Sequence, residues 1–408
     1  MSERKVQVLR NASIVLPDRT LAGDLLLRGG WIQALTAAGQ GVGEEIWDLA
    51  GRRVAPGLID MHTHGGWGVD FAQDSVEQML SVVPYYAQHG VTRLLLTLCP
   101  APLPEMLDSL KRAAAACERS SAFVGIHLEG PFLAVNRRGA LPAAGIQPYD
   151  PDVFDKILRA AGSHLRVMTF APEAIPAGEL RKIQSTGITL SIGHTDGVAD
   201  DVTRAVRAGV RRATHLCNAM PPIHHRRPGP VIACLTEPAV RVEVIVDGCH
   251  LDDRFVDLVL TAKGIDNVLA VSDSMPLAGL GTASGTFASH EVVSDGTRAC
   301  LPDGTLAGSV TPLLVALQRL GRRLDLPAHR LSRLGSTVPA QDLPVANLGR
   351  IATGTPADLI VFDQDEEAVL STLRGGVRVD AVAEEELAEE ALAEEDVSLF
   401  PDTIERVQ

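Results

Sequence analysis

Eight short apolar runs, several of them separated by stretches of helical spacing, constrain this chain more than any other feature. The runs are Gly57–His62, Thr92–Thr97, Phe123–Glu129, Leu165–Phe170, Ile188–His194, Ala213–Leu216, Val240–Val246 and Asn267–Asp273. Intervening segments with apolar residues at helical spacing include Ser75–His89, Pro104–Arg119 and Gly197–Ala208. Strands buried on both faces read as continuous apolar runs, and alternation with helices imposes parallel pairing with the helices outside. Eight such units predict a closed (β/α)8 barrel of the TIM type in place of an open doubly wound sheet. No Gly-x-Gly-x-x-Gly follows the first run, which argues against a dinucleotide-binding fold.

The ends of the chain read differently. Residues 5–54 form short strand-like pieces punctuated by Gly-Gly and Pro-Asp turns, with no helical period, and RIATGTPADLIVFDQD near the other end is again strand-like. The expectation is a small β-sandwich module built from both termini (1–54 and 341–380), with the barrel (55–340) inserted and an acidic tail at 381–408. After the eighth run, Ser274–Gly308 carries Asp-Gly pairs at 295–296 and 303–304, read as a loop and hairpin over the barrel mouth.

Length and composition agree with this division. A chain of 408 residues accommodates a barrel of about 250 residues plus a smaller module, and 46% apolar content fills a large core. No run of 18 or more apolar residues occurs, and the start MSERKVQVLRNASIVLP has no apolar signal core, so a cytoplasmic protein with no membrane partner is expected. Six scattered cysteines without a Cys-x-x-Cys pair fit reduced thiols. The net charge is −14, but from Asp380 onward 11 acidic residues face one arginine, so the body carries only about −4. Nothing combines basic and aromatic residues as a nucleic-acid surface requires.

Polar residues collect where the runs end: His62-Thr63-His64, His127-Leu128-Glu129-Gly130-Pro131, His194, His215, Asp247-Gly248-Cys249-His250 and Asp273. The carboxyl ends of barrel strands form the active face, and His62 and His64 at i, i+2 share one side of their strand. One strand-end histidine is usually satisfied by a backbone carbonyl. Four of them with a glutamate and an aspartate are not explained by packing, because buried charges cost several kcal/mol unless paired or ligating. Imidazole and carboxylate at such a place fit a catalytic metal with an open position. The five lysines (5, 111, 156, 182 and 263) all lie away from the run ends, leaving Glu129 as the candidate bridge between two ions.

The stretches PGLIDMHTHGGWGVD, HLEGPF, GHTDG, ATHLCNAMPPIHHRRPGP, DGCHLD, SDSMPLAG and GTLAGS, in this order from about Asn11 to Asp363, resemble the N-acetylglucosamine-6-phosphate deacetylases of the amidohydrolase superfamily. The resemblance implies a main metal site at Glu129, His194 and His215, a second metal supported by His62 and His64, and a catalytic acid/base at Asp273. It implies substrate contacts at Asn218 and Ala219, Arg226, His250, Ala140 and Leu141, and Leu306-Ala307-Gly308. It further implies a homodimer whose substrate arginine comes from the neighbouring subunit. Two positions depart from the family pattern: Leu141 stands where members usually carry a histidine, and Arg227 where an acidic residue is common.

The expected activity is therefore hydrolysis of the N-acetyl group of a phosphorylated amino sugar, using one or two divalent ions per chain. Zinc is the expected ion, with iron, cobalt or manganese as alternatives. A metal lowers the pKa of bound water toward 7, and Asp273 would move the proton from water to the leaving amine. Acyl-enzyme chemistry has less support, since no Gly-x-Ser-x-Gly elbow occurs. At this stage another N-acyl amino sugar, a nucleobase deaminase and a metal-free scaffold remain alternatives.

Overall fold

The structure is a computed structural model that describes residues 5–343, 347–363 and 368–379. Eight parallel strands pair in sequence order: β1 (Leu58–Thr63), β2 (Val91–Leu98), β3 (Phe123–Glu129), β4 (Leu165–Phe170), β5 (Thr189–Ile192), β6 (Arg212–Ala213), β7 (Arg241–Ile245) and β8 (Val268–Val271). The ring closes just beyond β8, where the Asp273 amide donates to the His62 carbonyl (2.9 Å) and the His64 amide to the Ser274 carbonyl (2.7 Å). The closing seam thus runs through residues singled out for chemistry. β1 and β2 are buried along their whole length, as strands covered on both faces must be.

The outer helices follow their local sequence. The helix Leu103–Arg119 turns Met106, Leu110, Ala113 and Ala116 inward at helical spacing, with Pro104 in the first turn, where its missing N–H costs nothing. The single helix read over Ser75–His89 is instead two, Val76–Ser81 and Val83–Gln88. Ser75 and Gln78 make a capping box at the start. Pro84 lacks the N–H that would bond to Leu80 and breaks the ladder between the two.

Strands from both ends of the chain share a second, eight-stranded sheet: Val6–Val15, Thr20–Arg28, Trp31–Thr36, Glu45–Asp48 and Arg53–Pro56 pair with one another, and Arg53–Pro56 pairs with Leu359–Phe362. This sheet has its own core of Leu9, Ile14, Leu25, Leu27, Ile32, Val54, Leu359 and Val361. Arg93 on β2 clamps Asp358 with two hydrogen bonds (2.7 and 3.1 Å), fastening the sheet to the barrel. The tail at 381–408 lies outside the described residues.

Over the mouth, Ser274–Gly308 is more regular than expected. It forms a four-stranded antiparallel meander, β9 (Thr282–Phe287), β10 (His290–Asp295), β11 (Ala299–Cys300) and β12 (Leu306–Gly308). Asp295-Gly296 and Asp303-Gly304 turn the chain as read, with φ of 89° and 88° at the glycines. The unread turn is Ala288-Ser289, where both residues take positive φ (49° and 66°) without the Asn or Gly that usually marks a two-residue hairpin. Phe287, Val292, Ala299 and Ala307 of the meander pack with Cys99, Leu133, Leu141 and Met275.

Candidate metal centre

One carboxylate gathers four imidazoles. Glu129, the last residue of β3, places Oε1 2.9 Å from His215 Nε2, 3.1 Å from His194 Nε2 and 3.4 Å from His62 Nε2, and Oε2 3.3 Å from His64 Nε2. His62 and His64 face each other through Nε2 at 3.2 Å, as do His194 and His215 at 3.0 Å. Asp273 Oδ1 lies 3.4 Å from the Nε2 atoms of His62 and His64. Glu129 thus occupies the bridging position between two histidine pairs, supplied by β1 and by the ends of β5 and β6.

The donor set fits a divalent cation. Tetrahedral ligands at about 2.0–2.1 Å from zinc stand about 3.4 Å apart, close to these separations. With the ring protons on Nδ1, the paired Nε2 atoms would set lone pair against lone pair unless a cation lay between them. Two of the remaining ring nitrogens point the same way: His194 Nδ1 donates to the Arg137 carbonyl (2.8 Å) and His62 Nδ1 to Glu243 (3.0 Å), which frees each Nε2 for a metal. Electrostatics agree. Burial works against charge on His62, but Glu129 and Asp273 outweigh it and raise its pKa to about 10. Burial opposes ionisation of Glu129 and Asp273 too, yet the facing imidazoles hold both well below the usual carboxylate range. A centre this rich in negative charge attracts cations.

The backbone is bent to make this possible. His194, His215 and Asp273 take φ of 46°, 23° and 50°, and Cys217 (82°) and Ala219 (53°) continue the pattern. Left-handed backbone costs non-glycine residues about 1–2 kcal/mol each and persists where surrounding contacts fix it, often at functional sites. β6 ends at Ala213, earlier than the apolar run to Leu216, because the chain turns here to present His215.

The other expected residues are placed unequally. His250 is held by Asp247 (Nδ1 to Oδ2, 2.8 Å), with its Nε2 4.0 Å from Asp273 Oδ2. Asn218 and Ala219 follow His215 directly, and Asn218 donates to the His215 carbonyl (3.3 Å). Leu306, Ala307 and Gly308 run beside Asp273, whose carbonyl accepts from the Ser309 amide (2.8 Å). Gly308 has φ of 133°, and a Cβ there would lie 3.1 Å from the Asp273 carbonyl oxygen. Ala140 and Leu141 are buried in the apolar cluster of the meander, whose Phe287 ring sits 5.3 Å from that of His64. Arg226 stands apart, on an exposed turn from His224 to Arg227, with no ion pair among the described residues. His224 and His225 stack on each other there, whereas the His250 side chain is only 5% exposed.

Beneath the donors lies a polar layer of which the sequence reading singles out only His127. Glu243 and Arg212 are both fully buried and paired, and His127 bonds to Thr169 (2.7 Å), which bonds to Thr214 (2.8 Å). The clue was present: Glu243 interrupts the apolar run Val240–Val246, and a charge inside a buried strand demands a partner.

Known proteins resemble this arrangement. The profile of the amidohydrolase family matches residues 53–383. The N-acetylglucosamine-6-phosphate deacetylase of Bacillus subtilis (strain 168) is 32% identical, over 82% of this chain and 86% of its own length. The human protein of that name is 33% identical, over 88% and 92%. A mutant of the Mycobacterium smegmatis N-acetyl-D-glucosamine-6-phosphate deacetylase, solved with N-acetyl-D-glucosamine-6-phosphate, superposes with a TM-score of 0.86 at 27% identity, over 93% of this chain and 100% of that one.

Proposed function

Because the chain belongs to the amidohydrolase family, and within it to the N-acetylglucosamine-6-phosphate deacetylases, we propose that it hydrolyses the N-acetyl group of N-acetylglucosamine-6-phosphate to glucosamine-6-phosphate and acetate. The observation that carries this reading is the convergence of four imidazole nitrogens on Glu129, with Asp273 beside them. Glu129, His194 and His215 would hold one divalent ion, and His62 and His64, also beside Glu129, would hold a second. Zinc suits a set of imidazoles and carboxylates at tetrahedral spacing. An ion bound there supplies Lewis acidity, acidifying water and polarising the amide carbonyl.

The chain's own residues handle the proton and the substrate. Asp273 is kept ionised and partly open, its side chain 12% exposed, so it can take a proton from the attacking water and return it to the departing amine. His250, oriented by Asp247, faces the same carboxylate and donates to the substrate. Asn218, Ala219, Leu306, Ala307 and Gly308 border the sugar, with Ala140 and Leu141 behind them. Arg226 binds the phosphate, its planar fork matching two phosphate oxygens. Its exposed turn suits a cytoplasmic homodimer in which each protomer completes its partner's site. Among the described residues no helix is long and apolar enough to cross a membrane.

The test is a deacetylation panel over N-acetylglucosamine, N-acetylgalactosamine and their 6-phosphates, with chelated and zinc-loaded protein. The reading expects fastest turnover of N-acetylglucosamine-6-phosphate by loaded protein. Preference for a free sugar would remove the phosphate assignment.

A further inference from the structure

The buried pair under the metal centre has a task of its own. We infer that Glu243 is a positioning residue that holds ligands of both metals at once, with Arg212 fixing its carboxylate. The claim rests on the metal-binding reading above, and it adds a residue to which no role in that reading has fallen.

The two oxygens of Glu243 divide the work. Oε1 accepts from Arg212, through Nε at 2.8 Å and through Nη2. Oε2 accepts from His62 Nδ1 (3.0 Å) and from the backbone amide of His215 (3.2 Å). His62 belongs to one metal's ligand set and His215 to the other's, so a single oxygen touches both. The bond to His62 sets its ring plane and places the proton on Nδ1, which leaves Nε2 as the ligand. The bond to His215 holds the amide of a residue whose φ is 23°, a conformation with little intrinsic favour. His62 is further confined by the ring of His127, 4.6 Å away and nearly perpendicular.

Arg212 makes this arrangement rigid. Its side chain is 1% exposed, its nearest other carboxylate is Asp342 at 3.8 Å, and its planar fork locks the orientation of Oε1. Loss of the Glu243 carboxylate would free His62, release the His215 amide and leave a buried guanidinium directly beneath cations. All three changes lower metal affinity. Partners of this kind that orient metal ligands typically contribute roughly 10- to 100-fold in affinity.

The experiment measures zinc affinity of the full chain by competition with a chromophoric chelator, with melting temperature recorded in parallel. Glu243→Leu, which removes the accepting oxygen, should weaken zinc binding by roughly 10- to 100-fold. Because that variant strands Arg212 and could unfold, the double variant Arg212→Met/Glu243→Leu is measured too. Apolar replacement of a buried pair is commonly tolerated, so it should melt near wild type and still bind zinc weakly. A lowered melting temperature with wild-type affinity in the folded protein would make Glu243 merely structural and overturn the inference. Wild-type protein that binds no zinc would overturn the metal-centre reading itself, a separate outcome.

Discussion

Asp273→Asn is the perturbation whose consequence follows most directly from the geometry. Asp273 sits at φ of 50°, a conformation that Asn adopts more readily than most residues. The substitution therefore keeps shape and backbone while removing the ability to accept a proton. Glu129 and the four histidines remain, so metal content should stay at the wild-type level. Loss of a positioned general acid/base costs roughly 10²- to 10⁴-fold in rate, which is about 3–5 kcal/mol on the barrier. Asp273→Ala should lose a similar factor and also about 1 kcal/mol of stability, because alanine gains nothing in the left-handed region. The assay is release of glucosamine-6-phosphate by zinc-loaded protein, with elemental analysis of the same samples. An Asn variant within about threefold of wild type, carrying its full metal, would refute the acid/base role.

Other substitutions separate the parts of the site. His62→Ala/His64→Ala should remove one bound ion per chain while Glu129, His194 and His215 retain theirs, as elemental analysis can count; unchanged stoichiometry would contradict the two-site reading. Arg226→Ala should raise KM for the 6-phosphate by roughly 10- to 100-fold, the worth of charge-assisted bonds to an anion, and leave slow turnover of the free sugar unchanged. Burial opposes ionisation of Asp247, but its bonds with His250 and the Cys249 amide prevail and lower its pKa to about 2. A depressed carboxylate contributes stability above its unfolded pKa near 4, here about 2 kcal/mol, and loses it as pH falls toward 2. Denaturation at pH 5 and pH 2.5 should therefore show a shallower acid loss for Asp247→Asn than for wild type, and parallel losses would rule out this contribution.

Much of this was legible in the residues because the barrel repeats one pattern. Each strand buried on both faces leaves an apolar run, and a polar residue at its end breaks that run in a place period-two geometry can interpret. That His62 and His64 share one side of their strand was readable for that reason, and the structure brings Glu129 within 3.4 Å of both and of His194 and His215. Backbone conformation was less legible. Nothing in ALA–SER composition marks Ala288-Ser289 as a two-residue turn, since the flanking β9 and β10 impose positive φ that those residues would not choose. The two-helix break at Pro84 had a local cause and could have been read. Glu243 and Arg212 needed pairing information: Glu243 interrupts its run, Arg212 falls just before the run read from Ala213, and only the fold brings β6 and β7 side by side.

The central claim is that turnover depends on cations gathered around Glu129. The most direct measurement strips the protein with chelator, then adds zinc in steps while following both bound metal and deacetylation of N-acetylglucosamine-6-phosphate. Activity should be absent in stripped protein, rise with zinc bound at this centre and stay absent in Glu129→Ala at any zinc concentration. Full activity in metal-free protein would contradict the account.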